Sequence, residues 1–167
     1  MNRIVYMVLR HLPIVPYWFW KIDHMGKRPD QYPEQERYDY LRNIIKTINQ
    51  NGRVTVRGYG EEQLPKENGF ILFPNHQGFF DMLAIIDTCP KPLGVIIKKE
   101  AANWILVKQV LRLLGGIPMD RSDIRAAMEV IKEMTRQVKE GKNYVIFPEG
   151  TRSRKGNELL EFKAGTF

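Results

Sequence analysis

The chain has 167 residues, of which 43% are hydrophobic and 27% charged, and these proportions exclude disorder over most of its length. Its 26 Lys and Arg exceed its 19 Asp and Glu, and the net charge of +7 favours an anionic partner. Nucleic acid, an anionic membrane surface and a phosphorylated substrate all remain open on this basis. The single cysteine, Cys89, excludes an intrachain disulfide and lies in an apolar stretch that predicts a packing role.

The first twenty residues are rich in apolar side chains, but Arg10, Pro13 and Pro16 interrupt them. A spanning helix needs roughly 20 apolar residues in a row, so we expect instead an interfacial helical hairpin with a proline corner. The aromatic run at 17–20 suits a lipid–water boundary. The basic residues that follow would face anionic headgroups, namely Lys21, Lys27 and Arg28. The alternative is a helix packed on the rest of the domain.

Helices and strands then alternate along the chain. Apolar periodicity predicts helices at 33–50, 79–88 and 104–114, and a last one from an N-cap at Ser122 to Gly141. Apolar or β-branched runs predict strands at 53–57, 69–74, 93–98 and 143–147. The last helix is predicted to bury one face, made of Ile124, Ala127, Met128, Ile131, Met134 and Val138. This order predicts an α/β fold with a central, mostly parallel or mixed sheet flanked by helices.

A first motif, Asn-His-Gln-Gly-Phe-Phe-Asp, occupies 75–81, where a predicted strand gives way to a helix. On one ideal helix the side chains of His76 and Asp81 would be about 140° apart, so they meet only if His76 lies in the loop. An imidazole held by a carboxylate acts as a general base. No enzyme nucleophile is evident nearby, so the reacting alcohol would belong to a substrate. A structural histidine beside a capping aspartate explains the heptapeptide equally well.

A second motif, Phe-Pro-Glu-Gly-Thr-Arg-Ser, occupies 147–153 after the last predicted strand. Pro148 directs the chain out of the sheet, and Gly150 permits a tight turn or a close approach to a ligand. Arg152 offers a planar fork of donors suited to a phosphate. A solvated basic loop is the alternative.

A third segment at 115–121 begins with two glycines and ends at Arg121, just before a helix. Arg121 and the amides of that helix start could hold an anion together. An ion pair between Asp120 and Arg121 at the surface is the alternative.

In this combination the three motifs resemble the signature blocks of the 1-acyl-glycerol-3-phosphate acyltransferase family. The Asn-His-x-x-x-x-Asp block and the Phe-Pro-Glu-Gly-Thr-Arg-Ser block agree residue for residue. The Gly-x-x-x-x-x-Arg segment has Pro118-Met119 where Phe-Ile is commoner. The resemblance covers 53–167 and implies the glycerol-3-phosphate acyltransferase-like fold.

The resemblance implies transfer of an acyl group from a thioester to the sn-2 hydroxyl of lysophosphatidic acid, giving phosphatidic acid. His76 would be the general base and Asp81 its orienting partner. The residues that the resemblance assigns to the phosphorylated acceptor are Glu149, Gly150, Thr151, Arg152, Arg121 and Lys98. The resemblance also implies that acyl-CoA or acyl carrier protein is the co-substrate and that no cofactor is needed. It implies a location at the cytoplasmic face of a membrane, in monotopic or peripheral form.

Neither a metal nor nucleic acid is expected. One His and one Asp fall short of a metal ligand set, and the basic residues are dispersed without an aromatic-studded strand. An enzyme of the same superfamily that acts on glycerol 3-phosphate or another lysophospholipid remains possible. So does a basic peripheral membrane or nucleic-acid-binding module whose His–Asp pair is structural.

Two parts are predicted, a membrane-interfacial segment at 1–30 and an acyltransferase domain at 31–167. The family usually has a fourth block, a strand with a Val-Pro pair, some way after the third. Since the sequence ends at Phe167 before such a block, we expect a domain truncated at its C-terminus.

Overall fold

The computed structural model describes residues 10–78, 80–153 and 158–163. Its helices are α1 Val15–Gly26, α2 Glu34–Asn51, α3 Phe80–Thr88, α4 Lys99–Ala102, α5 Val107–Leu113 and α6 Ile124–Lys139. Its strands are β1 Ile71–Leu72, β2 Gly94–Lys98, β3 Ile117–Met119 and β4 Tyr144–Val145, and a 3-10 turn spans Glu61–Gln63.

The four strands form one sheet in the order β1-β4-β2-β3, and every neighbouring pair is parallel. Parallel neighbours require crossover connections, which the helices between the strands provide. The predicted α/β fold is therefore confirmed. Because the strands are parallel, they all end at the same side of the sheet, called the carboxyl edge below, at Leu72, Lys98, Met119 and Val145.

Helices cover both faces of this sheet. One face meets the main core, which α1, α2, α3 and α5 supply with side chains including Ile22, Tyr38, Ile86 and Leu113. The other face packs under α6, where Met134 meets buried residues of the strands. Parallel sheets normally have both faces covered in this way, which explains why their strands read as continuous apolar runs.

The prediction of a strand at 53–57 is wrong. Val54 and Val56 are half-buried between exposed neighbours, as the alternation indicated, but residues 53–57 do not form a strand. The Val54 N–H donates instead to the Asn49 carbonyl at 2.9 Å, at the end of α2. Alternation describes burial, and a strand also needs a neighbouring strand to pair with.

The edge strand β3 was not predicted, and the helix expected at 104–114 begins only at Val107. Pro118 lies in the middle of β3, where it removes a donor from the strand. Such a proline is tolerated at an edge, and β3 is the last strand in the sheet order.

The start of α6 also differs from the prediction. Asp123, not Ser122, is the N-cap, and its carboxylate accepts from the N–H groups of Arg125 and Ala126. Ser122 donates its hydroxyl to Asp120 instead.

Of the predicted buried face of α6, Ile124 and Met128 are 76% and 55% exposed. Both lie in the first turns of the helix, near the carboxyl edge. The other four members pack against the sheet, namely Ala127, Ile131, Met134 and Val138.

α1 has two different faces. Ile22 and Met25 are buried in the main core, while Tyr17 and Trp20 are exposed. A turn at 12–14 precedes the helix, at the predicted proline corner, but the first half of the hairpin falls at 1–9, outside the described residues. The division at residue 30 stays a prediction. In the part of the chain that the structure describes, no helix combines the length and apolarity that crossing a bilayer requires.

Candidate active site

The loop after β1 brings His76 and Asp81 together. His76 Nδ1 lies 2.7 Å from Asp81 Oδ2, and Asp81 belongs to the first turn of α3. Each side chain is a little under one quarter exposed. This is the geometry that the spacing required, with the imidazole in the loop and the carboxylate at the helix start.

Among the described residues, Asp81 Oδ2 accepts from three donors. Besides the His76 ring, the N–H groups of Gln77 and Gly78 donate to it at 2.7 and 2.9 Å. Burial opposes ionisation of Asp81, but these hydrogen bonds together lower the pKa of the carboxyl group below its ordinary value of 3.8. Because the carboxylate is an acceptor at neutral pH, His76 Nδ1 carries the proton and Nε2 is the basic nitrogen.

The lowered pKa of Asp81 also sets the pH range in which the pair stabilises the fold. A depressed carboxyl pKa contributes stability at pH values above the unfolded pKa. That contribution is lost as the pH falls through the lower pKa of the folded protein.

The loop after β4 packs against His76 and hydrogen-bonds to its backbone, because β4 is the neighbour of β1. The Phe147 ring packs on the imidazole with ring centroids 4.2 Å apart. The Ser153 N–H donates to the His76 carbonyl at 2.8 Å, and the His76 N–H donates to Glu149 Oε1 at 2.7 Å. The ring, the amide and the carbonyl of His76 are thus all fixed by the second motif.

Glu149 is 1% exposed, and both of its oxygens accept from backbone amides. Oε1 receives the His76 N–H, and Oε2 receives the Leu160 N–H at 3.0 Å. The geometry therefore gives Glu149 a positioning role behind His76, and its predicted contact with the acceptor stays a prediction. The sequence showed Glu149 within a motif but held no signal for Leu160, which lies in an irregular segment eleven residues later.

Arg121 connects the third motif to the second. Its guanidinium donates to the Gly150 carbonyl, and Gly150 has the left-handed φ of +69° that favours glycine. Partial desolvation of the guanidinium lowers the pKa of Arg121. The sequence predicted that the amides at the start of α6 could bind an anion. Two of these amides, those of Arg125 and Ala126, instead donate to the Asp123 carboxylate.

The other predicted phosphate-binding residues lie around the same edge. Thr151 and Arg152 are exposed in the loop after β4. Lys98 ends β2 with its side chain 57% exposed, and its ammonium pairs with Glu100 at 3.0 Å. The fold thus brings Arg121 and Gly150 into contact, while Lys98 pairs with Glu100 of α4, the helix that follows β2.

Within the described residues, no group of three or more His, Cys, Asp and Glu side chains could hold a metal ion. The chemistry that this arrangement offers is proton transfer at His76 Nε2, next to loops that carry cationic side chains. A parallel α/β sheet with such a pair at its carboxyl edge defines an acid–base site at a strand end.

The acyltransferase family matches residues 53–167, and the chain belongs to that family. It is 34% identical over 107 residues to the 1-acyl-sn-glycerol-3-phosphate acyltransferase of Borreliella burgdorferi, covering 64% of this chain and 42% of the relative. It is 42% identical over 92 residues to the enzyme of the same name from Cocos nucifera, covering 54% and 30% of the two chains. The matches therefore span less than half the length of these two relatives.

A solved structure agrees with the fold over almost the whole chain. The crystal structure of the 1-acyl-sn-glycerophosphate (LPA) acyltransferase PlsC from Thermotoga maritima superimposes with a TM-score of 0.70 at 26% identity. The superposition covers 98% of this chain and 68% of the Thermotoga protein.

Proposed function

We propose that the chain transfers an acyl group from an acyl thioester to the sn-2 hydroxyl of lysophosphatidic acid, forming phosphatidic acid. The observation that carries this proposal is the His76–Asp81 pair, which is mostly buried yet keeps part of each side chain accessible at the carboxyl edge. The names of the relatives from Borreliella and Thermotoga support the choice of acceptor.

In the proposed reaction, His76 Nε2 takes the proton of the sn-2 hydroxyl as its oxygen attacks the thioester carbonyl carbon. Asp81 stabilises the imidazolium that forms. The tetrahedral intermediate then collapses, the carbon–sulfur bond breaks, and the imidazolium returns its proton to the leaving thiolate. The products are phosphatidic acid and a free thiol carrier, either coenzyme A or acyl carrier protein.

The proposed role of the cationic residues is to hold the phosphate of the acceptor. Arg121, Arg152 and Lys98 lie on loops or strand ends at the same edge of the sheet as His76. Fixing the phosphate there would place the hydroxyl next to the base and make the attack effectively intramolecular, which can supply much of the rate.

The acceptor is a membrane lipid, so we place the protein at the cytoplasmic face of a membrane in monotopic or peripheral form. The outer face of α1 supports contact with a membrane surface, because Tyr17 and Trp20 are 54% and 55% exposed while the opposite face is buried. Amphipathic rings of this kind favour the interface between lipid and water.

The test is release of free thiol from acyl-CoA and from acyl–acyl carrier protein with lysophosphatidic acid as acceptor. His76→Ala removes the proposed base, so we expect a loss of transfer on the order of 10²–10⁴-fold. Circular dichroism of the variant would verify that it is folded. Equal rates in the wild-type protein and the folded His76→Ala variant would contradict the proposal.

The acceptor is tested in the same assay with glycerol 3-phosphate in place of lysophosphatidic acid. A strong preference for glycerol 3-phosphate would leave the proposed acyl-transfer activity standing but show that lysophosphatidic acid is the wrong acceptor.

A further inference from the structure

Three consecutive large apolar residues are exposed between α4 and α5. Trp104, Ile105 and Leu106 are 53%, 84% and 49% exposed, and we call them the apolar loop. Scattered single apolar residues are ordinary on a protein surface, whereas contiguous exposed apolar residues are characteristic of interaction sites.

The backbone of this loop is held in an unfavourable conformation. Leu106 has φ +73°, in the left-handed region that residues other than glycine rarely adopt. The conformation is secured by the Leu106 N–H, which donates to Gln109 Oε1 at 2.8 Å, and by the Lys108 N–H, which donates to the Trp104 carbonyl at 3.0 Å. The exposure of the apolar loop is therefore built into a hydrogen-bonded turn.

The apolar loop lies on the same side of the sheet as His76. α4 begins directly where β2 ends, at the carboxyl edge, and adds only one helical turn before the loop. α5 then returns the chain to the start of β3, and the Gly116 N–H donates to the Leu111 carbonyl where β3 begins. A crossover of this kind runs antiparallel to the strands, so its first residues stay at the carboxyl edge.

A cationic groove of about 420 Å³ lies beside the apolar loop. Three cations line it, Lys99, Lys108 and Arg112, above apolar residues that include Leu111 and Pro118. Lys99 is 3.3 Å from Asp120, and Arg112 is 3.0 Å from Asp23, so each of them has a carboxylate partner outside the lining.

The third cation, Lys108, carries the excess charge of the groove. Within the described residues, its ammonium has neither an ion pair nor a hydrogen bond. The groove therefore keeps one uncompensated positive charge next to an apolar protrusion.

We propose that this surface docks on an anionic bilayer, with the apolar loop inserted at the interface and the groove facing the phosphates of lipid headgroups. Apolar side chains flanked by cations match a surface that is apolar below a layer of negative charge. The proposal rests on the proposed function only in that a membrane-borne acceptor would then meet the edge of the sheet that carries His76.

The experiment is co-sedimentation of the full chain with vesicles of phosphatidylcholine alone or mixed with phosphatidylglycerol. Ile105→Ser is expected to weaken binding to the mixed vesicles about tenfold, because it removes an apolar side chain from the interface. The matched control is Tyr59→Ser, which alters a side chain 86% exposed. Tyr59 follows Gly58, where an added Cβ atom would lie 3.2 Å from Thr88 at the far end of α3, so it lies away from the carboxyl edge. Equal binding of the two variants would overturn the proposal.

The charge is tested with Lys108→Gln against Lys139→Gln, an exposed lysine at the far end of α6. One lysine at the interface contributes about fivefold to the affinity for an anionic membrane. Lys108→Gln is therefore expected to weaken binding to the anionic vesicles by that factor and to leave binding to phosphatidylcholine vesicles unchanged. If Lys108→Gln instead raised the KM for acyl-CoA and left vesicle binding unchanged, the groove would serve the phosphates of the donor, and the headgroup assignment would be wrong.

Acyl transfer to a short-chain, water-soluble lysophosphatidate without vesicles separates this inference from the proposed function. The Ile105→Ser variant is expected to retain the wild-type rate in that assay. If the wild-type protein bound anionic vesicles as described but transferred no acyl group, the proposed function would fail and the docking surface would stand.

Discussion

His76 is fixed at its ring, its amide and its carbonyl by residues from two loops. Asp81 orients the imidazole from one side, and Phe147 packs on its face. A base must lie within hydrogen-bond reach of the proton it removes, and small displacements reduce the rate steeply. The residues behind the base are therefore as informative about the reaction as those that contact the substrate.

At the residue scale, Glu149→Gln tests the positioning role. Both carboxyl oxygens of Glu149 accept from N–H groups, and the glutamine would set an NH₂ group against one of them. Misplacement of His76 is expected to lower kcat for acyl transfer on the order of 10²-fold while the KM for the acceptor stays nearly constant.

Glu161→Gln provides the matched control, because Glu161 is exposed in the same downstream segment. It is expected to leave both kinetic constants unchanged. A raised acceptor KM at unchanged kcat in Glu149→Gln would show that Glu149 binds the substrate, as the family resemblance implied.

At the scale of elements, the site depends on how strands end and helices begin. β1 and β4 each contain only two paired residues, and the loops after them carry the first and second motifs. The loop after β3 ends at α6, and Asp123 fixes the start of that helix. The N-cap therefore also sets the path of the segment that carries Arg121.

Asp123→Ala tests this N-cap. Loss of the side-chain acceptor for two amides is expected to reduce the free energy of unfolding by about 1 kcal/mol. Urea denaturation followed by circular dichroism gives the value. Ser122→Ala is the comparison, with an expected change within about 0.5 kcal/mol, since it alters an exposed hydroxyl. A larger loss of unfolding free energy in Ser122→Ala than in Asp123→Ala would show that Ser122 is the N-cap, as the sequence indicated.

At the scale of the whole molecule, one core joins α1, α2 and α5 to the sheet. Leu113 is 1% exposed in that core, and its carbonyl accepts from the buried Arg37 guanidinium of α2. A Cβ atom added at Gly26 in α1 would lie 3.1 Å from the Leu113 amide nitrogen, so the helices approach closely. α1 therefore packs closely against the other helices through its inner face.

Leu113→Ala would leave a cavity where these three helices meet. The expected loss in the free energy of unfolding is about 2–5 kcal/mol, in a single transition because the elements share the core. Urea denaturation followed by tryptophan fluorescence would report mainly the melting of α1, which contains Trp18 and Trp20, two of the three tryptophans. Leu159→Ala, at a side chain 66% exposed, is the control with an expected change near zero. Separate transitions for α1 and the sheet would show that α1 is an independent unit.

The sequence by itself determined the alternation of helices and strands, and the distance in the chain between His76 and Asp81. The alternation follows from apolar periodicity, which is a local property of the chain. The contact follows from the five-residue spacing, which lets a histidine in a loop meet an aspartate at the start of a helix. The pair could therefore be predicted, and the structure confirms its geometry.

Only the tertiary structure decided which elements became neighbours. It left Val54 and Val56 without a strand to pair with and exposed Ile124 and Met128 at the start of α6. It also set β4 beside β1, which places Glu149 behind His76, 73 residues away in the chain. Such contacts depend on the burial of whole faces against partners distant in sequence, and no local pattern encodes the identity of the partner.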